Sequence, residues 1–132
     1  MVTAEAPLIC VIDDDPSIRN ALMSLLRSAE LRVEAFASAE AFLSHAPLER
    51  VGCLILDVQL PGMSGLALQR TLIEMQVPIP VIFHTGHDDQ TLAMQARYDG
   101  AVAWLTKPVQ EQELLHAISQ VKHWEQTYQR EV

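Results

Sequence analysis

Three consecutive aspartates, Asp13, Asp14 and Asp15, stand directly after a short apolar run, and a fourth, Asp57, ends another. Thr85 follows a third such run, and Lys107 follows a fourth, just before Pro108. Carboxylates, a hydroxyl and an ammonium are the groups that phosphoryl chemistry uses. Two carboxylates ~4 Å apart repel by about 4 kcal/mol at an effective dielectric near ~20, so three in one pocket require a cation. A hard divalent ion is the natural neutraliser, and Mg²⁺ suits a few carboxylates together with waters and a phosphoryl oxygen. A carboxylate is also a competent nucleophile. It forms an aspartyl phosphate when a metal, a second cation and a hydroxyl donor surround the phosphoryl group. Asp57, Mg²⁺, Lys107 and Thr85 fill those four roles, with Asp13 and Asp14 beside the metal.

Such residues converge only if the fold brings their apolar runs side by side. Leu8–Ile12 predicts a first strand, and Asp15-Pro16 an N-cap with proline at the first helical position. Ile18, Leu22, Leu25, Leu26 and Ala29 then lie on one helix face. Leu31–Phe36 alternates as a second strand, and Ser38 caps a short helix carrying Ala41 and Phe42. Cys53–Leu56 predicts the third strand, and the Pro- and Gly-rich stretch from Gln59 to Gly65 a loop. Leu66, Leu68, Leu72, Ile73 and Met75 mark a third helix, and Ile79–Phe83 a fourth strand introduced by Pro78 and Pro80. A fourth helix is expected from about Asp89 to Tyr98, a fifth strand at Ala101–Leu105, and a last helix from about Gln110.

Strands apolar on both faces, each followed by a helix, imply a parallel sheet covered on both sides. A closed barrel needs eight such units, and here there are five. The expected fold is α/β, a doubly wound flavodoxin-like sheet of five parallel strands in the order 2-1-3-4-5, with five helices. Ligands bind outside the carboxyl ends of such strands, which is where the aspartates, Thr85 and Lys107 fall.

The chain has 132 residues, 49% of them hydrophobic, enough for one domain with a packed core. We expect a single domain over 1–132, with its core at about 7–122 and a helical tail or linker start at 123–132. Seventeen acidic against nine basic side chains give a formal charge of −8, which disfavours direct binding to nucleic acid or an anionic membrane. Cys10 and Cys53 sit in apolar runs and read as buried free thiols in a reducing compartment. The first ten residues show no signal-peptide pattern, and no apolar run approaches the ~18 residues that span a bilayer. A cytoplasmic location is expected.

Val11 to Asp15, Leu54 to Val58, Leu60 to Gly65, His84-Thr85-Gly86 and Lys107-Pro108 together resemble the receiver domains of two-component response regulators. The resemblance spans about residues 7–122 in matching order. Detail in Asp13 to Pro16, Ser38-Ala39 and Thr85-Gly86-His87 is similar to regulators of the nitrogen-fixation and aromatic-catabolism type, which carry a DNA-binding helix-turn-helix domain after the receiver. No such second domain is expected within these 132 residues. The resemblance implies that Asp57 is the phosphoacceptor and that Asp13, Asp14 and the backbone carbonyl of Gln59 join it around Mg²⁺. It implies that Thr85 and Lys107 contact phosphoryl oxygens, that the bond before Pro108 is cis, and that Trp104 holds the place of the switch aromatic. Family members usually carry Tyr or Phe there, so Trp104 is a departure. A sensor histidine kinase is the implied donor, and a phosphorylation-dependent homodimer through helix four, strand five and helix five the implied readout.

Blander readings exist for each residue. Asp15 reads as a helix cap alone. His84 and His87 have the spacing of a loose metal pair, but a loop does not fix them on one face. Trp104 is a switch or a plain packed aromatic; Trp124 and Tyr128 are core or partner surface; His116 and His123 are solvated. Two rival functions fail on specific residues. An aspartyl-phosphate phosphohydrolase needs a second Asp two positions after the nucleophile, where Gln59 stands. A flavin carrier needs a first loop that cradles phosphate, and three aspartates repel it. A receiver-shaped scaffold that is never phosphorylated tends to lack one of the five site residues, and all five are present.

Overall fold

A computed structural model describes residues 7–121. Leu8–Ile12 forms β1, buried along its whole length, as an unbroken apolar run in a sheet covered on both faces should be. Asp15 ends the turn that follows and accepts the main-chain N–H of Ser17, so Pro16 opens α1 (Pro16–Ser28) where its missing N–H costs nothing. Next come β2 (Arg32–Phe36), α2 (Ala39–His45), a 3-10 turn at Leu48–Arg50 and β3 (Val51–Asp57). The chain continues through α3 (Gly65–Glu74), β4 (Val81–Thr85), α4 (Gln90–Tyr98), β5 (Ala103–Thr106) and α5 (Glu111–Ser119).

The strands pair in parallel in the order β2-β1-β3-β4-β5, as expected. Alternation along them divides the core into two layers. Cys10, Ile12, Leu54, Leu56 and Phe83 face Phe42, Leu68 and Ala96 on one side. Ile9, Val11, Cys53, Ile55 and Ile82 face Leu22, Leu26 and Leu114 on the other. Cys10 and Cys53 form no disulfide and are buried on opposite faces of the sheet. No helix among the described residues is long and apolar enough to cross a membrane.

Strand ends depart from the sequence reading in four places, the smallest being β2, which begins at Arg32 rather than Leu31. β4 is Val81–Thr85 rather than Ile79–Phe83, because Pro78 and Pro80 have no N–H to give a ladder. Pro80 contributes only its carbonyl, which accepts the N–H of Leu54. Two residues of delay carry Thr85 inside the strand. β5 likewise begins at Ala103 rather than Ala101, whose N–H is spent closing α4 on the carbonyl of Ala96. β3 is longer than Cys53–Leu56 at both ends and includes Asp57 as its last residue. In α3, Ile73 and Met75 are about half exposed and mark no core face, while Leu68 and Leu72 do. Trp124, Tyr128 and His123 lie outside the described residues.

Candidate functional site

The carboxyl ends of β1, β3, β4 and β5 meet at one end of the sheet. Asp13 follows β1 and is completely buried, because alternation from Ile9 and Val11 turns it toward the α1/α5 side. Asp57, 5% exposed, ends β3 with the same parity as Ile55. Asp14 takes the opposite parity and is exposed. Carboxylate oxygens of Asp13, Asp14 and Asp57 all lie within 4.8 Å of one another, a hard oxygen donor set that fits Mg²⁺ by the chemistry of its ligands.

Lys107 reaches this cluster from the loop after β5, and its peptide bond to Pro108 is cis. Its Nζ donates to Asp13 Oδ2 at 2.8 Å and to Asp57 Oδ2 at 2.9 Å. The other oxygens are held by main chain: Asp13 Oδ1 accepts the N–H of Asp15 at 2.8 Å, and Asp57 Oδ1 that of Gln59 at 3.1 Å. Burial pushes the Asp57 carboxyl above its ordinary value, against the opposing pull of Lys107 and the Gln59 N–H. Burial pulls the Lys107 ammonium down, but its hydrogen bonds to Asp13 and Asp57 outweigh that and leave it raised. The site is thus a buried anionic pair bridged by one cation.

Thr85 is buried at the end of β4, and its Oγ1 accepts the N–H of His87 at 3.1 Å. Its carbonyl accepts the N–H of Lys107 at 2.7 Å, which ties the hydroxyl strand to the lysine loop. Trp104 is half-buried on β5, its ring 5.6 Å from that of Phe83 at an interplanar angle of 45°. Its indole N–H is buried without a partner. Gln59 is exposed beside Asp57.

His84 was not legible as part of the site. The sequence pairs it with His87, yet His87 is exposed and His84 is 1% exposed, with Nε2 at 3.6 Å from Asp13 Oδ2. Burial, with the Lys107 charge adding to it, pulls the imidazole down to about 4, so at neutral pH the contact joins a neutral ring to a carboxylate. The signal was parity: His84 is the ladder partner of Asp57 and points to the same face as Ile82. Two loop supports were also missed. Arg19 donates to the carbonyl of Asp13 at 2.8 Å, and Glu40 of α2 accepts the N–H of Met63 at 2.8 Å, pinning the loop between β3 and α3.

Residues 9–119 match the response regulator receiver domain family. The response regulator protein TodT of Pseudomonas putida is 50% identical over 113 residues, covering 86% of this chain and 50% of that protein. The transcriptional regulatory protein FixJ of Bradyrhizobium diazoefficiens is 42% identical over 106 residues, covering 80% of this chain and 52% of that one. The chain therefore spans about half the length of these relatives. Among solved structures, response regulator StyR superposes with a TM-score of 0.86 at 42% identity, over 96% of this chain and 64% of that one. FixJ-N does so with a TM-score of 0.81 at 35% identity, over 89% of this chain and 94% of that one.

Proposed function

Since this chain belongs to the response regulator receiver domain family, we propose that Asp57 is its phosphoacceptor and that Asp13, Asp14 and the Gln59 carbonyl join Asp57 in holding Mg²⁺. The observation that carries this reading is the shared ammonium: Lys107 Nζ bonds both Asp13 and Asp57 at the mouth of a carboxylate cluster. Mg²⁺ supplies positive charge on the phosphoryl oxygens, as such ions do in phosphoryl transfer. The chain's own residues do the rest. Asp57 offers a carboxylate oxygen to the phosphorus of a phosphohistidine; the new O–P bond forms as the P–N bond breaks, and the imidazole leaves. Lys107 then turns from Asp57 to an oxygen of the phosphoryl group, and the Thr85 hydroxyl donates to another.

This regulatory reading makes a sensor histidine kinase the donor and places the protein in the cytoplasm. The readout we propose is a homodimer through α4, β5 and α5, where Met94 is 71% and Tyr98 88% exposed. Movement of Thr85 toward the phosphoryl group frees the N–H of His87 and loosens the loop beside Trp104. The output, by the likeness to transcriptional regulators, is gene control through a part beyond these residues.

Incubation with acetyl phosphate and Mg²⁺ should add one phosphate to the mass of the purified chain. A chelator should abolish the gain, and a gain that survives Asp57→Asn overturns the assignment. Beryllofluoride with Mg²⁺ should raise the sedimenting mass; an unchanged mass discards the dimer and leaves Asp57 in place.

A further inference from the structure

At the opposite end of the sheet from the aspartates, where β4 begins, the surface folds in as a second cleft. It measures about 510 Å³, within the range of small-molecule sites, and Leu72, Ile73, Val77, Pro78, Ile79 and Val81 line it. Gln69 lines it too, is 3% exposed, and donates from Nε2 to the carbonyl of Ala96 at 3.0 Å. Only the nitrogen of an amide can face a carbonyl, so its orientation is fixed and Oε1 is left buried without a partner. The main-chain donors around it are spent. The N–H groups of Gln76, Val77, Ile79 and Gly100 bond the carbonyls of Ile73, Leu72, Val77 and Arg97, and Pro78 has none. A buried acceptor held this way calls for a donor from outside the wall.

The charge around the cleft selects the kind of donor. The carboxyl-terminal ends of α3 and α4 both border it, and each carries partial negative charge. No basic residue stands in the last turn of α3 to offset this, and Arg97 in the last turn of α4 is exposed. Asp99, also on the wall, adds a carboxylate whose Oδ2 accepts from Gln95 Nε2 at 3.0 Å and meets Arg70 loosely at 3.4 Å. We propose that this cleft binds a small apolar primary amine. Its ammonium donates to Gln69 Oε1 and is held by the charge of Asp99, while its hydrocarbon part lies against Ile73, Val77 and Ile79. An alcohol satisfies Gln69 but leaves the negative wall unanswered, and a carboxylate is repelled. Oε1 is buried in the free chain, so a side chain at the rim must turn before the ammonium reaches it; Ile73 there is 50% exposed. The site does not depend on the acceptor assignment, since it lies at the far end of β4 from Thr85.

Three probes of similar shape test this at neutral pH: phenethylamine, phenethyl alcohol and phenylacetate, followed by calorimetry and by amide NMR of the natural chain. The amine should shift the amides of Ile73, Val77 and Gly100, the alcohol should bind about tenfold more weakly, and phenylacetate should move none of them. This readout needs no variant to fold. Gln69→Leu keeps the apolar wall, and the Ala101 N–H still satisfies the Ala96 carbonyl at 2.9 Å. It should bind the amine about tenfold more weakly, the loss expected for one hydrogen bond to a charged group. Asp99→Asn should weaken the amine and leave the alcohol unchanged. Phenylacetate binding as well as the amine, or full amine affinity in Gln69→Leu, overturns the inference. Amine shifts centred on Asp14 and Asp57 would show that the strand-end carboxylates draw it, and also overturn it. Cleft shifts that follow protein concentration without any probe would make a second copy the occupant and discard the amine. No shift with any of the three discards the site.

Discussion

Gly65 opens α3 with its Cα pressed against the main-chain carbonyl of Asp57, so closely that a Cβ would overlap that oxygen. The loop between them closes on itself, the Gly65 N–H donating to the carbonyl of Val58 at 2.9 Å. No left-handed backbone is involved. The glycine is required by space alone, and the atom it spares belongs to the residue proposed as phosphoacceptor.

Gly65→Ala should therefore destabilise the fold despite the better helix propensity of alanine. Propensity favours Ala by at most ~1 kcal/mol, whereas a clash with fixed backbone costs about 1–3 kcal/mol. The variant should also accept phosphate from acetyl phosphate more slowly, since the backbone of Asp57 must shift. Chemical denaturation and a phosphorylation time course check both; unchanged stability would mean that α3 moves away freely.

Lys107→Met should destabilise the metal-free protein by about 3 kcal/mol, the low end of the cost of leaving buried charge unpaired, because the lysine is partly wet. Asp13 and Asp57 would then face each other without a cation. Added Mg²⁺ should restore more stability to this variant than to the natural chain. Equal metal-induced melting shifts in the two would place the ion away from these carboxylates.

Asp57→Asn should have the opposite sign. Burial raises the Asp57 carboxyl, so the fold favours its protonated form. The stability it contributes is present below the unfolded value and is lost as pH rises through the folded one. At neutral pH without metal the charge is a net cost, and a neutral isostere should gain about 1 kcal/mol while Lys107 keeps its bond to Asp13. The gain should shrink as pH falls below the ordinary carboxylate range, where folded and unfolded chains both hold the proton. A gain of the same size in both pH ranges would show that charge is not its source.

Cys10 has no exposure, and its thiol is pushed up to about 12 by burial, with Glu34 adding to the effect. Iodoacetamide should leave it unmodified in the native protein and label it on unfolding. By linkage, Cys10 supports the fold fully below the ordinary thiol value and loses that support as pH climbs toward about 12. Cys10→Ala should remove this part of the alkaline decline in stability while costing core packing at neutral pH. Native labelling at the opening-independent rate of a free thiol would contradict the burial.

The alternation of apolar runs and helical faces carried the fold, because a chain in which five strands alternate with five helices has few other ways to cover both faces of a sheet. It also brought Asp13, Asp57 and Lys107 together, since strand ends on one edge of such a sheet are neighbours however far apart in sequence. What it left open was the work of each residue within a run of like residues. Asp13, Asp14 and Asp15 are chemically identical, yet one is buried on the lysine, one stands exposed at the rim and one caps α1. That sorting depends on which face each side chain takes as the strand ends, and prolines at 78 and 80 shifted β4 in a way that periodicity did not register. His84 shows the same limit most plainly. In sequence it pairs with the exposed His87. In the sheet it is the ladder partner of Asp57 and faces Asp13, because side-chain direction alternates at every residue and only the ladder fixes where that alternation starts and stops.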